Sequence, residues 1–402
     1  MRTQLRRVFR IVNGGTPTSG PENWDGDVAW ATPVDLARVN GGRIEMTDRT
    51  LTKKGLAEGS RLVPPGSLIL STRAPIGYVA ECTTSMAFNQ GCRGLVPRGE
   101  ADARYFRYQL SSLTDVLGAR GQGSTFVELS GDALAGVEIN MPPHSEQRAI
   151  ADYLDTETAR IDALIDKKQR MIDVARERQV VSETTSVFPE GTLATGIPTI
   201  PTVPDGWRVL RNKVFMREVN LSSKTGEEEM LSVSHLTGVT PRSEKTVYMF
   251  EAESTVGYKT VRSGDLVINT MWAWMGAAGV ARVNGIVSPA YGVYGIDSGV
   301  MTPDYFDIVV RTSAYITEMT RFSRGVTSSR LRLYPEEFLA LSSPVPPIEE
   351  QERIVARCFA ARERTASLVE RLERQVDLLR EHRQALITAA VTGELEIPGV
   401  AA

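Results

Sequence analysis

Two long segments of the chain place apolar residues three and four positions apart among charged residues. The first segment, residues 144–187, contains the apolar series Ile150, Leu154, Ile161, Leu164, Met171 and Ala175. The second segment, residues 346–391, contains the series Ile354, Cys358, Leu368, Leu372, Leu379 and Leu386. This spacing is typical of a coiled-coil seam. Neither series is interrupted by Gly or Pro, so the pattern predicts two long helices whose natural partners are each other.

The two segments also repeat each other at a constant offset of 204 positions. The motif Pro-Pro-x-x-Glu-Gln opens both copies, from Pro142 and from Pro346, and it aligns Glu146 and Gln147 with Glu350 and Gln351. A Pro-Pro pair holds the chain extended and allows a helix to begin directly after it. Carboxylates in the first turn suit the helix dipole. One such motif is weak evidence, but a gapless match of apolar with apolar positions indicates internal duplication.

The remaining regions contain short β-rich runs broken by Gly, Pro, Asn and Ser, a pattern typical of mixed α/β domains with many loops. We therefore predict an α+β chain in which two mixed domains are separated by two long coiled-coil-like helices, as a pseudo-twofold tandem duplication. The predicted boundaries are a first domain at 1–143, a first helix at 144–187, a second domain at 188–345 that opens with a Pro-rich linker at 188–206, a second helix at 346–391 and a C-terminal tail at 392–402.

Composition narrows the classes of function. At 402 residues with 42% hydrophobic side chains, two domains are the natural expectation. Cys82, Cys92 and Cys358 form neither a disulfide framework nor a zinc motif, which favours a reducing cytoplasm. The uncharged run from Leu266 to Ala281 is shorter than the roughly 20 residues that cross a bilayer. A net charge of −3 counts mildly against nucleic-acid binding but is compatible with a local basic surface.

The sequence contains little that resembles a catalytic motif. It has no GxxxxGK[ST] phosphate-binding loop and no HExxH metal motif. "NMPPH" at Asn140 matches the N/D-P-P-Y/F loop of amino-methyltransferases only superficially, because Met precedes the prolines and no aromatic residue follows them. "DKK" at Asp166 fits half of a nuclease motif, but it falls on the solvated face of a predicted helix. His144, His235 and His382 are scattered and predict no metal site, although His235 could contact a base from a loop.

Several short motifs occur together and in one order. They are the two "PPxxEQ" helix starts, "QALITAAVTGELEI" from Gln384, "GGTP" at Gly14, "WATPVDL" at Trp30, "STRAPIG" at Ser71, "FNQGC" at Phe88 and "PDGW" at Pro204. Each is weak alone. Taken together, and over essentially the whole length, they resemble the specificity subunits of type I restriction–modification systems.

The resemblance implies a non-catalytic subunit with two target recognition domains, each of which binds one half of a split double-stranded DNA sequence. It implies that the two long helices are antiparallel and set the spacer between the half-sites. Two modification subunits that use S-adenosylmethionine to methylate adenine would dock on the chain, and restriction subunits would add ATP- and Mg-dependent cleavage. No cofactor, metal or membrane is expected on the chain itself. The spacer and partner positions are Glu146, Gln147, Ile150, Leu164, Glu350, Gln351, Ile354 and Leu368; the Glu-Gln pairs either dock the partner or only start helices.

The two halves depart from each other at their ends. Where the second copy has "LITAAVTGEL", the first has "SETTSVFPEG" from Ser182. The chain also starts almost inside the first domain, without the lead that precedes Trp207. We therefore expect the C-terminal tail to fold back and complete the first half, which would make the chain pseudo-cyclic.

Base edges are contacted by Arg, Asn, Gln, Ser and Thr, and phosphates by Lys, Arg and backbone amides. Polar loops in both domains therefore supply the candidate DNA contacts. They are Thr16, Thr18, Ser19, Ser71, Thr72, Arg73, Asn89, Gln90, Arg120, Gln122, Ser124 and Thr125 in the first domain, and Ser222, Ser223, Lys224, Trp272, Trp274, Tyr291, Arg324, Thr327, Ser328 and Arg330 in the second. The alternative is that many of them only form turns, and that Trp272 and Trp274, two positions apart on a strand, pack in the core.

Two other classes of function compete with DNA recognition. A scaffold for a methyltransferase that does not itself bind DNA would fit the low pI. It would differ from a DNA reader in the salt dependence of binding, because phosphate contacts weaken steeply with salt. An enzyme in its own right is disfavoured by the absent motifs. A DNA mimic would need a dense acidic surface, which 46 basic and 49 acidic residues do not suggest.

Overall fold

The computed structural model describes residues 1–122, 127–244, 254–327, 330–398 and 400. The chain divides into two compact units. Unit 1 comprises Met1–Gln169 and Glu373–Ala402, and unit 2 comprises Arg170–Leu372. Each unit therefore holds one mixed α/β domain together with a part of each of two long helices. Among the described residues, no helix is both long and apolar enough to cross a membrane.

Unit 1 is built from short strands and helices that precede one long helix. Its strands are β1 (Arg2–Gln4), β2 (Phe9–Asn13), β3 (Trp24–Ala31), β4 (Arg43–Ile44), β5 (Thr50–Leu51), β6 (Leu68–Ser71), β7 (Val79–Cys82), β8 (Ala87–Phe88), β9 (Cys92–Pro97) and β10 (Glu138–Asn140). Its helices are α1 (Leu5–Val8), α2 (Pro33–Arg38), α3 (Lys53–Gly59), α4 (Ala103–Ser112), α5 (Thr114–Ala119), α6 (Gly131–Ala135) and the long α7 (His144–Val187), whose last part lies in unit 2.

Unit 2 repeats this arrangement of elements. Its strands are β11 (Leu193–Ile197), β12 (Ile200–Val203), β13 (Arg208–Arg211), β14 (Met216–Glu218), β15 (Leu231–Ser234), β16 (Gly238–Pro241), β17 (Lys259–Val261), β18 (Leu266–Ile268), β19 (Ala278–Val280), β20 (Gly285–Val287), β21 (Gly292–Ile296) and β22 (Ser342–Val345). Its helices are α8 (Pro303–Val310), α9 (Ser313–Phe322), α10 (Pro335–Ala340) and the long α11 (Ile348–Thr392), whose last part lies in unit 1.

The main sheets of the two units have matching topology. Unit 1 has the strand order β2-β9-β6-β7-β4, and unit 2 has the order β14-β21-β18-β19. In both, a strand that is buried along its whole length occupies an inner position, β6 in unit 1 and β18 in unit 2. In both, an N-terminal strand pairs antiparallel with the strand that precedes the long helix, β1 with β10 and β13 with β22. The predicted α+β tandem duplication is confirmed.

The same side chain ties each domain to its long helix. In unit 1, buried Gln147 accepts a hydrogen bond from the Asp102 amide at 2.9 Å and donates to the Pro142 carbonyl at 2.8 Å. In unit 2, buried Gln351 accepts from the Thr302 amide at 2.7 Å. Asp102 and Thr302 are the N-caps of α4 and α8. One glutamine thus holds the first turn of the long helix against the start of the domain helix.

Gln351 also donates to the Pro346 carbonyl at 2.9 Å and to the Val300 carbonyl at 3.0 Å. With both ends of their amides used internally, Gln147 and Gln351 are structural residues. The sequence left open whether the Glu-Gln pairs dock a partner or only start helices. For the two glutamines the answer is structural, because a buried glutamine has no surface for a partner. Glu146 and Glu350 are partly exposed and remain candidates for docking.

In each unit the parts of the long helices pack through a heptad-spaced seam. In unit 1 the seam includes polar pairs: Lys168 donates to Gln375 at 2.6 Å, and Arg383 lies 2.9 Å from Asp162. The partner's number falls as the first residue's number rises, so these segments run antiparallel.

The seam of unit 2 combines an apolar cluster with an ion pair. Ile172 packs with Val369 and Leu372. Further along, Arg362 binds Glu183 through two nitrogens at 2.9 and 2.8 Å, and this hydrogen-bonded carboxylate raises the pKa of Arg362. The partner numbers again run in opposite directions, as in antiparallel helices.

The structure corrects the predicted seam at two partner positions. Leu164 is 48% exposed and Leu368 is 38% exposed, whereas Ile150 and Ile354 are buried in the cores of their units. Met171, also predicted in the seam, is exposed as well. The reason is register. Val369 and Ile172, each one position after Leu368 and Met171, are the buried residues, and one position on a helix is a turn of about 100° away from the seam.

The predicted linker and the C-terminal tail both contribute residues to the core of a unit. The segment 188–206, predicted as a Pro-rich linker, contains the antiparallel hairpin β11–β12, and Ile197, Ile200 and Val203 are part of the unit 2 core. The C-terminal tail lies in unit 1, where Ile397 joins its core.

Candidate nucleic-acid interface

In unit 1 the first polar loop, residues 14–20, is fixed by two tryptophans of β3. The indole nitrogen of Trp30 donates to the Gly15 carbonyl at 3.0 Å, and that of Trp24 donates to the Thr18 carbonyl at 2.9 Å. Both rings are buried. The loop therefore has a defined path, and it presents polar side chains at the surface.

The predicted contacts of this loop have different environments. The Thr18 hydroxyl donates to a Glu58 carboxylate oxygen at 2.7 Å, and hydrogen bonds from the Thr18 hydroxyl and amide lower the pKa of Glu58. The Thr16 hydroxyl donates to the side-chain oxygen of Gln90. Thr16, Ser19 and Gln90 are exposed and stay available to DNA, whereas Thr18, although exposed, also stabilises the loop.

Two predicted contacts on the next loop are corrected by burial. Ser71 and Thr72 have no exposed surface. The Ser71 hydroxyl donates to the Pro75 carbonyl at 2.7 Å and accepts from the Tyr78 amide at 2.9 Å. The Thr72 hydroxyl donates to the Gly91 carbonyl at 3.2 Å. The prediction that these two side chains contact DNA is wrong, because their hydroxyls are used to shape the loop that carries Arg73.

Arg73 itself is exposed and is held by a carboxylate. Its Nε lies 3.1 Å from Glu128, whose other oxygen lies 3.5 Å from Arg93. Within the described residues, the terminal nitrogens of Arg73 have no hydrogen-bond partner. A guanidinium anchored through Nε keeps its two terminal nitrogens free as a fork, the geometry that binds O6 and N7 of guanine.

Backbone hydrogen bonds bring three loops of unit 1 together around Arg73. The Thr72 amide donates to the Gly91 carbonyl at 2.8 Å, and the Leu129 amide donates to the Thr72 carbonyl at 2.8 Å. Asn89 is partly buried and its side-chain oxygen accepts from the Gly91 amide at 3.0 Å, so it mainly shapes the turn.

Two backbone hydrogen bonds of 3.0 Å each join Gln122 and Glu128. Gln122 and Arg120 are exposed, and Arg120 donates weakly to the Gly136 carbonyl at 3.4 Å. Ser124 and Thr125, also predicted contacts, lie outside the described residues.

In unit 2 the first predicted loop contains one buried member. Ser223 is buried, and its hydroxyl donates to Glu228 at 2.6 Å and accepts from the Gly226 amide at 2.8 Å. The prediction of DNA contact by Ser223 is therefore wrong, since it forms a turn. Ser222 and Lys224 on either side are exposed and keep their candidacy.

Trp272 and Trp274 of unit 2 lie on a turn and not on a strand. Trp272 begins a 3-10 turn, Ala273–Met275, and its ring stacks on Trp274 with centroids 6.5 Å apart and planes 18° apart. Trp274 is partly buried and its indole nitrogen donates to the Met271 carbonyl at 3.1 Å. Trp272 is 50% exposed. Core packing is thus excluded for Trp272.

Tyr291 supports this turn from the neighbouring loop. Its hydroxyl accepts a hydrogen bond from the nearly buried Asn269 side chain at 3.1 Å. Partial burial raises the pKa of Tyr291, so the phenol stays neutral. Its hydroxyl is already engaged, which favours a positioning role over direct contact.

The last predicted group of unit 2 is exposed. Arg324 forms an ion pair with Glu337, and its backbone pairs with Arg332 through two hydrogen bonds of 2.8 Å. Thr327 and Arg330 are exposed, with the Thr327 carbonyl accepting from the Arg330 amide at 2.9 Å. Ser328 lies outside the described residues.

Arg324 and Arg330 line, together with the tryptophan turn, an open cleft of about 840 Å³ in unit 2. The side chains that matter here are Trp272, Trp274, Arg324, Arg330, Arg332 and Tyr334. The cleft combines aromatic faces with cationic groups, the combination that proteins use for single-stranded bases and phosphates. In the described part of the chain, no group of three or more His, Cys, Asp or Glu side chains is placed to hold a metal ion.

Sequence reasoning missed Glu128, Arg332, Tyr334 and Arg49. Glu128 and Arg332 align at the same offset of 204 positions, so extending the repeat alignment to charge would have found them. Arg49 is exposed and its guanidinium lies 3.5 Å from the ring centroid of Trp24. No pattern in the sequence indicates that contact, because it depends on how the loop folds.

Comparisons with known proteins agree with this architecture. Residues 2–172 match the family described as "Type I restriction modification DNA specificity domain". The chain is 35% identical over 175 residues to the type I restriction enzyme MjaIX specificity subunit of Methanocaldococcus jannaschii, a match covering 42% of this chain and 40% of that protein. It is 23% identical over 184 residues to the EcoR124I/EcoR124II specificity subunit of Escherichia coli, covering 44% and 45%. The matches thus span less than half of these curated relatives.

Solved structures extend the likeness of fold to nearly the whole chain. One, reported as the structural basis of complex assembly and conformational transition of the type I R-M system, matches with a TM-score of 0.73 at 16% identity and covers 98% of both chains. The crystal structure of the HsdS subunit from Thermoanaerobacter tengcongensis matches with a TM-score of 0.55 at 17% identity, covering 98% of this chain and 97% of that one.

Proposed function

We propose that the chain is a specificity subunit of a type I restriction–modification system and gives such a complex its DNA sequence specificity, as its similarity to that family over residues 2–172 and to a curated specificity subunit supports. In this proposal each unit recognises one half of a split target in double-stranded DNA. The two long helices set the spacer between the halves. The chain is the non-catalytic recognition subunit of the assembly.

The observation that carries the proposal is the combination of equal scaffolds with unequal loops. Both units share a sheet order and a glutamine tie. Their loops differ, however: the loop after β6 carries Arg73 where the loop after β18 carries Trp272, and Glu128 aligns with Arg332 at the offset of 204. Two copies of one support that present different polar and aromatic groups suit two different half-sites, as paired modules suit bipartite DNA sites.

Local charge also supports DNA as the ligand, despite a net charge of −3. In unit 2, Arg324, Arg330 and Arg332 are exposed on one cleft. In unit 1, Arg73 and Arg120 are exposed on neighbouring loops. Arginines of this kind bind phosphates and guanine edges. A local basic face therefore compensates for the mild acidity of the whole chain.

The exposed apolar positions of the long helices support docking of two modification subunits. Leu164 and Leu368 are equivalent through the duplication, and both are exposed. Val174 and Leu378 are a second such pair, exposed at 44% and 57%. Exposed apolar side chains that recur at equivalent positions mark a repeated interaction surface. Two equivalent surfaces fit two copies of one partner.

The other components follow from this assignment. S-adenosylmethionine would be bound by the modification subunits, and ATP and Mg by the restriction subunits, with no cofactor on this chain. Methylation of adenine and cleavage of DNA would be activities of the assembly.

The test is long-read mapping of methylated adenine in a host that carries the complete operon, with and without this chain. The proposal predicts a split methylated motif that depends on the chain. If the partners are expressed and associate with the chain, yet no motif depends on it, the chain is a scaffold without DNA recognition.

A further inference from the structure

The exposed tryptophan of unit 2 is held in a rigid position. Gly276 closes the turn in the left-handed region, at φ +84°, and a Cβ there would lie 2.5 Å from Ile316 Cδ1. The Ala277 amide donates to the Trp272 carbonyl at 3.1 Å. With Trp274 stacked beneath it, Trp272 has little freedom to turn inward. The turn therefore presents a large apolar ring to solvent.

The surroundings of Trp272 favour a nucleotide over a peptide as its ligand. Arg330 and Arg332 are exposed on the same cleft, and no carboxylate among the described residues forms an ion pair with either guanidinium. An acidic peptide would satisfy the arginines but would leave the stacked aromatic pair unused. A base with its flanking phosphates would use both, because base–aromatic stacking and phosphate contact occur together in single-strand binding sites.

We propose that Trp272, braced by Trp274, stacks on one base that has left the duplex stack in the half-site bound by unit 2, while Arg330 and Arg332 bind the flanking phosphates. The inference rests on the proposed function and specifies how unit 2 carries it out. In an intact duplex only base edges are accessible in the grooves, so stacking on a ring face requires that the base be displaced.

Unit 1 provides an internal contrast. The equivalent loop has Ala74 and Ile76 where unit 2 has Trp272 and Trp274. Without an exposed aromatic ring on that loop, unit 1 has no stacking surface there. The displaced base is therefore expected in one half of the target only.

The experiment measures DNA binding by the full chain in complex with its modification subunits at fixed salt. The probes are duplexes with the mapped target in which the strand opposite each half-site base is changed to create one mismatch at a time. A mismatch lowers the cost of displacing the base without altering the base itself. Trp272→Ala removes the ring, Trp272→Phe preserves a stacking surface, and Leu236→Ala changes an exposed side chain elsewhere in unit 2.

The expected result is one mismatch position, in the half-site of unit 2, at which the wild-type complex binds roughly tenfold more tightly. Trp272→Phe and Leu236→Ala keep that enhancement. Trp272→Ala loses it and binds the matched target roughly ten- to a hundredfold more weakly. An enhancement that persists in Trp272→Ala, as at an adenine displaced by a modification subunit, belongs to another site.

Two results would overturn the inference alone. The first is equal binding and equal mismatch profiles for wild type and Trp272→Ala. The second is loss of the modification subunits from Trp272→Ala with DNA binding otherwise unchanged, which would make the cleft a protein contact. In both cases a wild-type complex that methylates a split motif leaves the proposed function intact. A wild-type complex that binds no DNA would instead overturn the proposed function and the inference together.

Discussion

The loops that follow β6 in unit 1 and β18 in unit 2 differ, although the strands that carry them agree. Strands β6 and β18 are equally buried and equally placed in their sheets. The loops that follow them carry Arg73 in one case and Trp272 in the other. Across from them, Glu128 in unit 1 aligns with Arg332 in unit 2, so the local charge is reversed.

This difference separates two kinds of constraint. The scaffold is held by buried groups that cannot change independently, such as the glutamine ties and the apolar strands. The loop tips contact solvent, so their side chains can vary at little cost to stability. One duplicated fold can thus present two chemically distinct surfaces, one with an arginine fork and one with an aromatic cleft.

The largest expected effect concerns what the units share. Gln351→Met keeps the length of the side chain but leaves the Thr302 amide and two carbonyls without partners. We expect a loss of about 3 kcal/mol in the free energy of unfolding, measured by urea denaturation of the full chain. Gln147→Met should cost a similar amount, and exposed Gln384→Met almost nothing. Equal stability of Gln351→Met and wild type would show that the tie is not structural.

The next effect tests whether the docking surfaces are equivalent. Val174→Asp and Leu378→Asp each place a carboxylate on an exposed apolar position of one copy. Each single variant should lose about 2 kcal/mol of affinity for one modification subunit, so that light scattering at limiting concentration finds one subunit bound in place of two. The double variant should bind neither. Retention of both subunits by the double variant would exclude these positions from the interface.

The next effect distinguishes an arginine whose terminal nitrogens are free, Arg73, from one whose terminal nitrogen is paired, Arg324. Arg73→Ala should weaken specific DNA binding by about 2 kcal/mol if its fork contacts guanine. Arg324→Ala should cost less than about 1 kcal/mol, because its guanidinium is bound by Glu337. Fluorescence anisotropy of a labelled target at fixed salt measures both. Unchanged affinity in a folded Arg73→Ala complex would remove Arg73 from the interface.

The smallest effect tests the reversed charge directly. Glu128→Gln weakens the hold on Arg73 and Arg93 while keeping the shape of the side chain. We expect the free energy of DNA binding to change by about 1 kcal/mol. The change should be seen only with targets whose sequence is altered in the half-site bound by unit 1. Equal sensitivity to changes in both half-sites would contradict separate recognition by the two units.

Much of the fold could be predicted because it depends on repeated, local signals. The Pro-Pro pairs, the acidic first turns and the apolar spacing indicate two long helices, and the offset of 204 indicates the duplication. The register of the seam could not be predicted. Lys168 and Arg362 occupy positions that a pattern search assigns to apolar residues, and the ion pairs that permit this arise only when the helices meet.

The candidate site was harder to predict because the same residue types form turns and contact DNA. Ser71, Thr72 and Ser223 are polar loop residues like Thr16 and Ser222, yet their hydroxyls are buried in internal hydrogen bonds. The 3-10 turn that exposes Trp272 depends on Gly276 and on the packing of Ile316. Neither burial nor this packing is visible in local sequence. Composition therefore identified the loops but not the side chains that they present.

The most direct test of separate half-site recognition is methylated-adenine mapping with a chain altered in one unit. The host would carry the complete operon with Trp272→Ala and Arg332→Glu combined in unit 2. The account predicts that one half of the split motif becomes degenerate or changes while the other half and the spacer length stay as in wild type. A change in both halves, or no change in either, would contradict it.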